Sequence, residues 1–101
     1  MLVVLRDDGL LATSAEQSGD DPSLRTILQS LADELIGLGY PATWSYRDGG
    51  SEKLTPTLLR TCSRILLEAV TNILKHARRG SPCRLEGEVA DGWIHLRVEN
   101  R

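Results

Sequence analysis

Hydrophobic positions recur at two different periods along this chain, and each switch of period marks the border of an element. From Ser23 to Gly39, Leu24, Ile27, Leu28, Leu31, Ala32, Leu35 and Ile36 stand at helical spacing, which predicts a helix with those residues facing a core. Asp21 is its expected N-cap, with Pro22 at the first helical position, and Gly37 and Gly39 stop it. Ala42 to Arg47 alternate with period two and end at Asp48-Gly49-Gly50, the pattern of a strand. A longer helix follows. Thr55 caps it, Pro56 opens it, and Gly80 followed by Pro82 stops it. Cys83 to Ala90 and Trp93 to Asn100 are alternating runs joined by Asp91-Gly92, the signature of a two-residue hairpin, and Leu85, Val89, Ile94, Leu96 and Val98 should face the helices. Residues 7 to 22, with Gly9, Gly19, Pro22 and several Ser and Asp, read as a linker between a helical tail and the folded domain.

The long helix carries the candidate chemistry. Within Ile65 to Ala77, an apolar arc of Leu66, Ala69, Val70, Ile73, Leu74 and Ala77 seats the helix, and the other side holds Glu68, Asn72, Lys75 and His76. At about 100° per residue, the steps from 68 to 72 to 76 drift by only about 40° each. An amphipathic helix needs a wet side of some kind, which is the plainer account of these residues. Asn is a poor choice for such a side, roughly 0.5 kcal/mol worse than Ala in a helix interior. Its oxygen is, however, a good hard ligand, and Mg²⁺ takes one or two protein oxygens while keeping waters and phosphates elsewhere. Lys75 and His76 would then meet the phosphates.

Glu68-Ala69-Val70-Thr71-Asn72-Ile73-Leu74-Lys75-His76-Ala77 resembles the N-box of sensor histidine kinases, in the subfamily with E-A-x-T-N-x-x-K-H-A that signals to response regulators with helix-turn-helix output domains. Met1 to Asp8 is similar to the end of the second dimerisation helix of actinobacterial members, and Ser23 to Gly39 resembles the first helix of the ATP-binding domain, with Gly39-Tyr40-Pro41 leading into a strand. The resemblance implies an α+β fold: a two-layer α/β sandwich of the Bergerat (GHKL) type, incomplete here, with helices on one face of a mixed sheet and a C-terminal β-hairpin. Residues 1–22 would be the tail and linker from the dimerisation region, and 23–101 a partial ATP-binding domain. By the same resemblance the ligand is Mg-ATP, Asn72 ligates Mg²⁺, Glu68 orients a metal-bound water or acts as a base, and Lys75 and His76 contact phosphates. Such chemistry relies on positioning and charge neutralisation. The implied partners are the phospho-acceptor dimerisation helix of the same kinase and, through the full-length protein, a response regulator, with a homodimer as a further form.

After the N-box the family continues with D-x-G-x-G, a mobile lid and a second Gly-rich box, whereas this chain stops at Val98-Glu99-Asn100-Arg101. Asn100 falls where the family has the Asp that accepts from the adenine amino group; an amide still offers an acceptor oxygen but lacks the charge. Gly49-Gly50 is an isolated pair and makes no phosphate cradle. The expectation is half of a catalytic domain, from a cut chain or a remnant, that binds ATP weakly or not at all by itself. The alternative is an inactive remnant serving as an interaction or dimerisation module, pairing through an open sheet edge or its apolar N-terminal segment. A third reading is the same fold used for ATP hydrolysis or protein-serine kinase activity.

Composition adds boundaries. The chain has 101 residues, 41% hydrophobic and 26% charged, which suits one soluble domain with a modest core. With 12 basic and 14 acidic residues interspersed, the net charge of -2 gives no overall field for nucleic acid or anionic lipid. Arg78 and Arg79 complement a helix C-terminus. No apolar run has the length of a membrane span, and the expected compartment is the cytoplasm, including the cytoplasmic part of a membrane-anchored sensor. Cys62 and Cys83 read as small buried hydrophobes, without the C-x-x-C spacing of a zinc site. Trp44 and Trp93 read as core-edge residues and not as base-stacking platforms.

Overall fold

The structure, a computed structural model, describes residues 1–6, 23–48, 54–90 and 92–100. Its elements run β1 (Leu2–Arg6), α1 (Leu24–Gly37), β2 (Ala42–Asp48), α2 (Pro56–His76), β3 (Cys83–Ala90) and β4 (Trp93–Asn100). The four strands form one mixed sheet in the order β1-β4-β3-β2. β2 and β3 are parallel and joined by α2, while β4 is antiparallel to both β3 and β1. This is an α+β fold in two layers, helices on one face of the sheet, with the C-terminal hairpin expected from the sequence.

Alternation assigns the faces. Cys83, Leu85 and Val89 on β3 and Ile94, Leu96 and Val98 on β4 are buried under the helices, with Val3, Leu5, Ala42, Trp44 and Tyr46 packed at the margins. The helices answer with Leu24, Leu28, Leu31, Ala32 and Leu35 from α1 and Leu58, Cys62, Leu66, Ala69, Val70 and Ile73 from α2. The opposite face of the sheet is polar and open, with Arg84 against Glu86 and Arg97 against Glu99 at 3.7 and 3.1 Å. Gly87 sits in the middle of β3 beneath α1, where a Cβ would lie 2.9 Å from Leu28 Cδ1.

Caps follow the local chemistry. Thr55 Oγ1 accepts from the backbone N–H of Leu58, as expected for the long helix. On α1 the N-cap is Ser23, whose Oγ accepts from the Thr26 N–H; it stands two positions later than the expected Asp21, which with Pro22 lies outside the described residues. A serine hydroxyl accepting from the first turn ahead of it serves as well as a carboxylate there. Gly39 turns the chain out of α1 at a φ of 95°, and Gly92 occupies the hairpin at 79°, both conformations that favour glycine.

Three expectations need correction. The described part of Met1 to Asp8 is not helical: Leu2–Arg6 is an edge strand whose Val3 and Leu5 pack against the core, so these residues belong to the folded domain and not to a tail outside it. Two adjacent β-branched residues with alternating burial fit a strand better than a short, uncapped helix. The linker at residues 7 to 22 and the Gly49-Gly50 pair fall outside the described residues. Ile36 is 53% exposed and Leu74 40% exposed, not core. Each sits roughly 100° or more around its helix from the centre of the buried arc, too far to reach the sheet.

Candidate functional site

Two elements end beside each other at one end of the sheet, and the space between them is the candidate site. The last turns of α2 contribute Ala69, Asn72, Ile73, His76 and Ala77, the end of β4 contributes Val98 and Asn100, and Met1 closes one side. The result is an open concavity of about 520 Å³, inside the range of small-molecule sites. Its floor is apolar because Ala69, Ile73 and Val98 are core residues whose edges reach it. Among the described residues its polar side chains are two carboxamides and an imidazole.

Of the residues singled out from the sequence, Asn72, His76 and Asn100 meet around this concavity. Glu68 and Lys75 do not line it and stand exposed further round α2. Asn72 is exposed, and its side chain has no hydrogen-bond partner among the described residues. The adjacent Thr71 hydroxyl bonds back to the Leu67 carbonyl at 2.8 Å, holding itself to the helix. Nothing competes for the Asn72 amide.

Asn100 is held firmly. Its Nδ2 donates to Ser81 Oγ at 2.8 Å and to the Pro82 carbonyl at 3.2 Å, with Cys83 Sγ at 3.5 Å. Ser81, only 7% exposed, passes the chain on by donating from Oγ to the Arg78 carbonyl at 2.7 Å. The amide protons are therefore spent on the connection between α2 and β3, and Oδ1 is left as an acceptor without a protein donor among the described residues.

Ser81, which orients Asn100, is the side chain beside the candidate site that the sequence did not single out. The signal was present in Gly80-Ser81-Pro82, a serine in a turn between a helix and a strand, where such hydroxyls commonly bond nearby backbone. Its second partner, Asn100, is 19 residues away and has no local signature.

Lys75 and His76 end α2, where positive charge is favourable, and exposed Arg78 and Arg79 follow. Of these four, only His76 lines the concavity. No group of three or more His, Cys, Asp or Glu that could hold a metal occurs among the described residues. A divalent ion there would have Asn72 as its protein ligand and take its other oxygens from water and phosphate, a mode that suits Mg²⁺. Cys62, wholly buried in α2, has its thiol pushed up to about 11 by desolvation. Among the described residues no helix is long and apolar enough to cross a membrane.

Fold and site together define an α+β domain with a concavity at one end of its sheet that two carboxamides and an imidazole line. Compared with protein-family models, curated proteins and solved structures, the chain gives no significant match.

Proposed function

We propose that this chain is the ATP-binding catalytic domain, or part of one, of a two-component sensor histidine kinase, a Bergerat-type domain that binds Mg-ATP for phosphoryl transfer to a histidine on a dimerisation helix. The observation that supports it is the meeting of Asn72, His76 and Asn100, three positions of the resemblance spread over 29 residues, around one concavity. In this reading Asn100 Oδ1 accepts from the adenine amino group, held in that orientation by Ser81 and the Pro82 carbonyl. Asn72 ligates the metal, His76 hydrogen-bonds phosphate, and Lys75, exposed further round α2, adds positive charge from outside the concavity. Bound Mg²⁺ would neutralise the triphosphate and favour in-line transfer. Glu68, as catalytic base or water-orienting residue, acts from the exposed side of α2 next to Asn72.

The test is a titration of the ¹⁵N-labelled chain with Mg-ATP to millimolar concentration, followed by NMR, which registers even weak binding. Saturable shifts at the Asn72 and Asn100 side-chain amides, lost in Asn72→Ala, support the reading. Shifts scattered over the surface, or Asn100 shifts that persist unchanged in Asn72→Ala, overturn it.

A second reading has its own observation. β1 ends the sheet, and Leu2 and Val4 on its open side are 61% and 45% exposed, so a dimerisation module could pair through this edge. A dimer in light scattering that is indifferent to Mg-ATP and is lost in Val4→Lys would favour it over the kinase.

A further inference from the structure

On the outer side of the helical layer, away from the concavity described above, lies a groove of about 440 Å³ between α1 and α2. Ile27 of α1 forms one wall, and Leu59, Ser63 and Leu67 of α2 form the other. These three are spaced four apart, so they make a straight stripe over about 12 Å of helix. Leu67 is 54% exposed, a large apolar side chain turned to solvent with nothing on the described chain over it.

Arg60 and Arg64 border the same stripe, one turn apart and therefore about 5–6 Å from each other. Both are exposed, and neither makes an ion pair among the described residues. Among the described residues no acidic side chain lines the groove, although the chain as a whole carries a net charge of -2. Two like charges one turn apart weaken an isolated helix by a few tenths of a kcal/mol, so the pair does nothing for α2 by itself.

From this arrangement we propose that the α1–α2 groove docks an amphipathic helix of a partner protein, with leucine-like side chains seated against Ile27, Leu59 and Leu67 and carboxylates paired to Arg60 and Arg64. An open stripe two turns long, with side chains at four-residue spacing, matches the ridge that a third helix presents. The charge decides the partner. A second copy meeting the groove about a two-fold axis would set Arg60 and Arg64 against their own counterparts, whereas an acidic helix satisfies both. The proposal is independent of the nucleotide site, which lies at the other end of α2.

The experiment uses two synthetic amphipathic helices with leucine at heptad spacing, one bearing glutamate on its remaining faces and the other lysine. Methyl resonances of Ile27, Leu59 and Leu67 report binding. The glutamate peptide should shift all three saturably, and the lysine peptide should not. Arg60→Glu with Arg64→Glu should weaken binding at least about tenfold and reverse the preference toward the lysine peptide, with the urea midpoint unchanged because both side chains are exposed. Equal binding of the two peptides, no binding of the glutamate peptide, or indifference to the charge reversal would overturn the proposal. So would saturation by decanoate alone, which would assign the groove to a fatty acid, or concentration-dependent self-association that moves the same methyls.

Discussion

Gly87→Ala is the most demanding test of how the helices sit on the sheet. The new methyl group would lie 2.9 Å from Leu28 Cδ1, 3.4 Å from Leu24 Cδ2 and 3.7 Å from Leu24 Cγ. Carbon atoms prefer about 3.5–4.0 Å, so the first contact is a real overlap and the others are tight or ordinary. Leu28 is 0% exposed and Leu24 2%, which leaves their methyl groups no solvent to move into. Overpacking of this kind costs about 1–3 kcal/mol. Against it stands a gain of about 0.5–1 kcal/mol from replacing a strand-interior glycine whose φ is not left-handed. The overlap wins.

The expected net loss is about 1–2 kcal/mol out of the 5–15 kcal/mol typical of a domain. With an m-value of about 1.5 kcal/mol/M, the urea midpoint should fall by roughly 1 M. Fluorescence of half-buried Trp44, on the neighbouring strand, follows the transition. A second arm separates overlap from backbone effects. Leu28→Ala alone should cost about 2–5 kcal/mol, and adding Gly87→Ala to it should cost nothing further, because the colliding methyl is gone. If Gly87→Ala leaves the midpoint unchanged or raises it, or if the two losses simply add, then α1 does not press on β3 as described.

Other expectations follow from single contacts. Asn72→Ala should remove Mg-ATP shifts while leaving the melting temperature unchanged or slightly raised, since Asn is roughly 0.5 kcal/mol worse than Ala in a helix interior; a large drop would make the amide structural. Thr55→Ala removes the cap bond to the Leu58 N–H and should cost about 1 kcal/mol in urea unfolding, with Thr55→Ser restoring most of it. Ser81→Ala breaks the tie between Asn100 and the Arg78 carbonyl and should cost about 1–2 kcal/mol, together with faster solvent exchange of the Asn100 side-chain amide. Desolvation raises the Cys62 thiol from 9.0 to about 11, so the folded state holds that proton longer. Its contribution to stability should be complete below pH 9 and be lost as pH rises from 9 toward 11, a loss absent in Cys62→Ala.

Most of the fold was legible because burial acts through period. The hairpin strands appear with the expected limits, and all five residues assigned to their inner face are buried. What local pattern could not carry was position relative to other elements. Leu2 to Leu5 is too short to display a period, and its identity as a strand depends on β4 being there to pair with it. The cap of α1 shifted to Ser23 because several capping residues stand close together and only the geometry of the first turn chooses among them.

The site was half legible for a reason that the helical wheel makes quantitative. Measured from the centre of the buried arc of α2, near Leu66 and Ile73, His76 lies about 50° away and Asn72 about 90°, while Glu68 and Lys75 lie roughly 130–150° away. A side chain can border a concavity against the sheet only if it flanks the arc that touches the sheet. His76 and Asn72 meet that condition and line the concavity; Glu68 and Lys75 do not. A polar stripe read from spacing alone is therefore wider than the site it can build. Only the strand end that approaches the helix, here Val98 and Asn100 of β4, decides which edge of the stripe is used. That choice depends on tertiary packing, as does the Ser81 bridge that orients Asn100, and both lie beyond the reach of any local pattern.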